Sequence, residues 1–179
     1  MKTKKEILVL VGSASQNSSN QKLVDAVMDR LKHRFQFTVY PDLKALPPFD
    51  PALSASGPPA EIQLFRDRLE RADGVLICSP EYIFSIPSAL KNVFEWCVAT
   101  TLFTDKPTGF ITASASGEKG HAELQLILQT LMARLSETAS LLIQGIKAKI
   151  DKDGVLLDPQ MQTDLEMFIG AFAALVEEE

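Results

Sequence analysis

Residues 12–21, GSASQNSSNQ, carry one glycine, four serines, two asparagines and no lysine. The stretch follows the apolar run Ile7–Val11 and precedes an amphipathic segment. Hydroxyl and amide groups at such a junction have two uses. Ser18 or Ser19 could simply cap the coming helix, as serines commonly do. Alternatively, the group could add donors to the unpaired N–H groups of the helix's first turn and hold a phosphate there. Ser13, Ser15, Ser18, Ser19 and Asn20 are the candidate ligands, and Gly12 lets the backbone turn sharply. Neither G-x-x-x-x-G-K-[ST] nor G-x-G-x-x-G is present, so a phosphate held here is held without a Walker lysine. The place of the loop after a first strand favours the phosphate reading.

Two further clusters have the same small polar character. One is SPEYIFSIP, residues 79–87. Its Pro80, Tyr82, Ile83 and Phe84 could line a flat apolar ligand, or form a core satellite or subunit interface. Glu81 could accept a hydrogen bond or cap the following helix. The other cluster is TASASGEKG, residues 112–120, with Ser114, Ser116 and Gly117. His121 beside it is expected at the solvent face, with contact to a substrate as the alternative. Cys78 lies in the apolar strand VLICS and reads as a buried, inert thiol, and Cys97 as core or interface. His33 suits a helix end. The two histidines stand near no carboxylate cluster, so no metal site is expected. DKDGVLLD, residues 151–158, lacks the EF-hand pattern and reads as a solvated turn. The terminal Glu177–Glu179 reads as a solvated end.

Alternating strands and helices would position these loops. Strands are expected at 7–11, 35–40, 74–80, 106–116 and 138–145. Helices are expected after residue 20 (Leu23, Val24, Val27, Met28, Leu31 at helical spacing), over 60–74, over 85–101 with Pro87 in the first turn, over 122–135, and from Pro159 with Asp158 as N-cap. The proline-rich connection 41–59 is expected to lack regular structure over most of its length. Residues 146–158 are expected to be irregular around Asp153-Gly154. Strand–helix alternation with buried strands predicts an α/β, doubly wound, five-stranded parallel sheet of order 2-1-3-4-5 with helices on both faces. In such a sheet ligands bind outside the carboxyl ends of the strands, where the order reverses. That rule selects the loops after strands 1, 3 and 4, which are the three clusters above.

The bulk numbers exclude several classes. The chain of 179 residues suits one domain, 1–179, since about 150 residues is a common domain length. The net charge of −5 argues against nucleic acid as a partner. The start MKTKKEILVLVG has only five consecutive apolar residues, too few for a signal segment, and no run approaches a membrane span. Two unpatterned cysteines fit a reducing compartment, so a cytoplasmic location is expected.

GSASQNSSNQKL together with SPEYIFSIPSALKNVFEW resembles the NADPH-dependent FMN reductase family of flavodoxin-like proteins, which includes quinone, azo-dye and chromate reductases. Gly12, Ser13, Ser18 and Asn20 match its G-S-x-R-x-x-S-x-N loop. Pro80, Glu81, Tyr82, Ser85, Ile86, Pro87, Leu90, Lys91, Asn92 and Trp96 match its second motif. Ser114, Ser116 and Gly117 resemble its loop beside the flavin ring, and KIDKDGVLLD is similar to its C-terminal region. The resemblance implies FMN with its phosphate on Ser13, Ser15, Ser18, Ser19 and Asn20. The ring would lie against Pro80, Glu81, Tyr82, Ile83 and Phe84 and the Ser114–Gly117 loop. NADPH or NADH would give hydride to the flavin N5, with no catalytic side chain required. A small acceptor such as a quinone or free flavin would then be reduced in a ping-pong cycle. A homodimer or homotetramer is expected from the same resemblance.

Two departures stand out. Ser15 replaces the family's loop arginine, and Ile83-Phe84 replaces its Asn-Gly. They keep two rivals open: a flavodoxin-type electron carrier, and a binding module that has lost flavin.

Overall fold

The computed structural model describes residues 4–178 except Ala14 and Gln16; of Ala55 only the backbone is described. Met1–Thr3, in the basic start read above, and the terminal Glu179 lie outside the described residues. The elements, in chain order, are β1 (Lys5–Val11), α1 (Ser19–Leu31), β2 (Phe35–Val39), α2 (Pro51–Ser56), α3 (Ala60–Arg71), β3 (Gly74–Ser79), α4 (Ser88–Cys97), β4 (Thr108–Ser114), α5 (Glu118–Thr130), β5 (Ser140–Gln144), α6 (Ile146–Lys149) and α7 (Pro159–Glu177). All strand pairs are parallel and the order is β2-β1-β3-β4-β5, as expected.

Side chains on a strand alternate between faces, and β1 feeds two cores accordingly. Ile7 and Val9 pack with α1 and α7, through Leu23, Val27, Phe168 and Phe172. Leu8 and Leu10 pack with α3, α4 and α5, through Phe65, Val93, Trp96 and Leu124. Cys78 and Cys97 are both buried, and burial pushes the Cys97 thiol up to about 12. Both are inert at neutral pH.

The sequence-expected boundaries need correction in several places. The connection 41–59 is more ordered than its prolines suggested. It holds a 3-10 turn at Leu43–Ala45, and α2 capped by the Asp50 carboxylate. Pro51 sits at the start of α2, where a missing N–H costs nothing. α4 begins at Ser88 rather than 85, with Pro87 at its N-cap position instead of in the first turn. α5 begins four residues early, at Glu118, because Gly117 (φ +92°) turns the chain into it. Residues 146–158 hold α6 and an antiparallel bridge between Ile150 and Leu156. The Asp158 cap on α7 is as expected: its carboxylate accepts from Met161 N–H at 2.7 Å.

Candidate functional site

The carboxyl ends of β1, β3 and β4 meet at one edge of the sheet. Gly12 N–H donates to Cys78 O at 2.8 Å, which brings the loop after β1 against β3. A side chain at Gly12 would not fit. Its Cβ would lie 2.8 Å from Ser79 Oγ and 3.1 Å from Leu90 Cδ2. Ser18 does cap α1, its Oγ accepting from Gln21 N–H at 3.2 Å. Asn20 is buried, and its amide points into the protein. Nδ2 donates to Ala113 O at 3.2 Å, and Oδ1 accepts from Cys78 Sγ at 3.2 Å. It therefore ties the first turn of α1 to β3 and β4.

The loop after β3 is a two-residue hairpin. Tyr82 N–H donates to Ser85 O at 2.9 Å and Ser85 N–H to Tyr82 O at 3.1 Å. Between them Ile83 (φ +51°) and Phe84 (φ +59°) are both left-handed. Such turns favour Asn-Gly, and a β-branched residue there is an outlier. Both side chains project outward, Ile83 95% exposed and Phe84 75%.

Two carboxylates hold this hairpin. Glu81 Oε2 accepts from Gly120 N–H at 2.8 Å, so of the two expected roles it takes that of hydrogen-bond acceptor, in the first turn of α5, and does not cap the following helix. Gly120 admits it closely, since a Cβ there would lie 3.2 Å from the Glu81 side chain. Glu123 Oε2 accepts from Ser85 Oγ at 2.6 Å and Ile86 N–H at 3.2 Å, and Lys91 Nζ lies 3.5 Å from Oε1. Burial raises the Glu123 pKa, but these donors outweigh it and hold the carboxyl below its usual range. Asn92 and Trp96 take another task. Asn92 Oδ1 accepts from Phe49 N–H, and both residues donate to Pro47 O, pinning the 41–59 connection to α4.

A cavity of about 760 Å³ opens between the loops. Ser13, Ser15, Ser18, Ser19, Asn20, Pro80, Tyr82 and Ser114 line it. Glu81, Ile83, Phe84, Ser116 and Gly117 stand outside its wall. Ala115, within the expected Ser114–Gly117 loop, also lines the cavity, while sequence reasoning missed Asn17 and, from the loop after β5, Gly145–Ala148 with Lys147. The strand-end rule applies equally to β5, and it would have selected that fourth loop. A second cavity of about 410 Å³ shares Ser13, Ser15 and Tyr82 and runs towards Tyr40 and the start of α4.

His121 is not solvent-facing as expected. It is half-buried, with Nδ1 2.9 Å from Thr112 Oγ1, Nε2 3.0 Å from Ser140 Oγ, and its ring against Phe110. Burial lowers its pKa. The unfolded chain therefore takes up this proton first, near pH 6.5. The histidine's contribution is complete above that pH and falls as pH drops towards the folded value. A urea midpoint lower at about pH 5.5 than at about pH 7.5 is expected, with a flatter profile in H121Q. Glu123 acts only near and below pH 4.5, outside this window. Among the described residues no group of His, Cys, Asp and Glu could hold a metal, and no helix is long and apolar enough to cross a membrane.

Residues 6–143 match the model of the NADPH-dependent FMN reductase family. The chain belongs to that family. An NADH:(hydroxy)cinnamate reductase subunit from Vibrio ruber is 30% identical over 176 residues, covering 95% of this chain and 86% of its own. A 2-hydroxy-1,4-benzoquinone reductase from Burkholderia is 28% identical, with 97% of each covered. The solved flavoenzyme NAD(P)H:(acceptor) oxidoreductase from Paracoccus denitrificans superposes with a TM-score of 0.83 at 26% identity, over 97% of each chain. The chain is thus an oxidoreductase of that family, which works with FMN and a reduced nicotinamide nucleotide.

The cavity fits that cofactor. Its lining has hydroxyl and amide groups, the first turn of a 13-residue helix and one lysine, with no carboxylate among the described lining residues. Such a lining tolerates a phosphate dianion, and the volume is that of a cofactor pocket.

Proposed function

We propose that the chain folds as one FMN-binding domain that reduces small electrophilic acceptors of the quinone or free-flavin type with NADH or NADPH. The observation that carries this is the cavity lined by the loops after β1, β3, β4 and β5, with no acidic side chain among its described lining residues. Hydroxyls of Ser13, Ser15, Ser18 and Ser19, with N–H groups of the first turn of α1, hold the phosphate. Asn20 positions that turn, and its own amide is engaged elsewhere. Pro80, Tyr82 and Ser114 would flank the ring. FMN bound there would supply the hydride-transfer chemistry, with the acceptor's protons coming from solvent. No side chain of the site has to move a proton. The residues bind, orient and shield.

Donor and acceptor use the same open face in turn, so initial-velocity plots in NAD(P)H and quinone should be parallel. Intersecting lines would overturn the ping-pong order. Purified protein should retain about one FMN per chain through gel filtration, following the family's cofactor use. Colourless protein that takes up no added FMN would sink the reading.

The exposed Tyr82–Phe84 tip supports assembly as a dimer or tetramer. A monomer by light scattering at micromolar concentration would contradict that part. The same tip favours a second reading, in which electrons go to a protein partner. The relative from Vibrio ruber is named as a subunit. Turnover with quinones no faster than the chain's autoxidation would favour it.

A further inference from the structure

We propose that Lys147 is the counter-charge for the FMN phosphate, supplied from the far side of the cavity by the loop after β5. The inference rests on the reading above that the phosphate sits at the start of α1. Lys147 is the one charged side chain among the described residues lining the cavity, and it faces a wall of hydroxyls and amides. The first loop carries no basic residue, and Ser15 stands where the family pattern has arginine. A phosphate held by hydroxyls and N–H groups alone keeps uncompensated charge, and a lysine acts on it as a point charge.

The chain fixes this lysine with some care. Gly145 (φ +64°) turns out of β5, and its N–H donates to Ala115 O at 3.1 Å. Ile146 is buried in the core and sets the rotation of α6. The next residue is Lys147, exposed at the cavity. The return strand closes behind it, through Leu157 N–H to Lys149 O at 2.8 Å and the Ile150–Leu156 bridge. This excursion is strapped to the start of α1 by Lys22 Nζ, which donates to Asp151 O at 3.1 Å. The nearby Asp151 carboxylate is occupied by the N–H groups of Asp153 and Val155, at 2.8 Å each. No salt bridge engages Lys147 among the described residues.

The test is equilibrium titration of apoprotein with FMN and with riboflavin, which shares the ring but lacks the phosphate, followed by flavin fluorescence. K147A should weaken FMN binding about ten- to a hundredfold, the usual effect of losing a charge-assisted contact, and leave riboflavin affinity unchanged. K147R should keep most of the FMN affinity, and K149A all of it. FMN affinity unchanged in K147A would overturn the proposal. So would equal losses for both flavins, which would mean a packing role. Wild-type protein that bound neither flavin would overturn this inference and the functional reading together; wild-type binding with an indifferent K147A overturns this inference alone.

Discussion

The double variant I83N/F84G is expected to be more stable than the wild type. Each left-handed non-glycine residue costs about 1–2 kcal/mol, and asparagine and glycine recover much of it, so a gain of about 2 kcal/mol follows. In a chain of this size that raises the melting temperature by about 4–8 °C. The hairpin hydrogen bonds and the two anchoring carboxylates are untouched, so the backbone should keep its path. Neither side chain contributes packing that would be missed, because both are largely exposed. Strain kept at such a place is a sign of use. The stabilised variant should therefore lose catalytic efficiency towards apolar quinones several-fold, while FMN affinity stays within about twofold because the turn's backbone is retained. Denaturant melts, flavin titration and steady-state kinetics on one preparation would check all three. A destabilised variant would show that the tip is buried in an assembly, which light scattering would then reveal.

The opposite result is expected of E81A/E123A. Glu81 caps α5, and Glu123 binds Ser85, Ile86 and Lys91. After allowance for their partial exposure, each carboxylate contributes about 1–1.5 kcal/mol, and the pair about 2–3 kcal/mol. The functional effect should be larger than the loss of stability suggests. Without these anchors only the two Tyr82–Ser85 backbone hydrogen bonds hold Ile83 and Phe84 left-handed, so the strained turn should relax and carry Tyr82 away from the cavity wall. FMN affinity is expected to fall at least tenfold, about 1.4 kcal/mol. In the I83N/F84G background the same two substitutions should cost far less flavin affinity, because Asn-Gly favours this turn unaided. Equal losses in both backgrounds would mean that the carboxylates act on the flavin by another route.

The strand order and the three loops were legible because they follow from short-range facts. Buried strands read as unbroken apolar runs, such as Val75–Cys78 within Gly74–Ser79, and the strand-end rule then places the loops. The destinations of individual side chains were not legible. Asn20 reads as a phosphate ligand from its loop, but its partners Ala113 and Cys78 are distant in sequence. Glu81 reads as a hydrogen-bond acceptor, but its partner lies in a helix that starts 37 residues later and is not visible locally. His121 looked solvent-facing because nothing local shows that Thr112 and Ser140 flank it. Lys147 was passed over within a segment read as irregular, since α6 has only four residues and no periodicity to show. The long second motif is informative for another reason. Ser85, Lys91, Asn92 and Trp96 secure the hairpin and the proline-rich connection, so much of the family signature records scaffolding around the cavity.

The amide of Asn20 also bears on the order in which the protein is made and loaded. Because both ends of that amide are satisfied by the chain itself, the first turn of α1 needs no guest to keep its shape. The nascent chain can finish folding before it meets any flavin. Apoprotein with that turn intact is expected to take flavin up again, although bound flavin still adds to its stability. If exchange is reversible, the loaded fraction then follows the free FMN concentration by mass action.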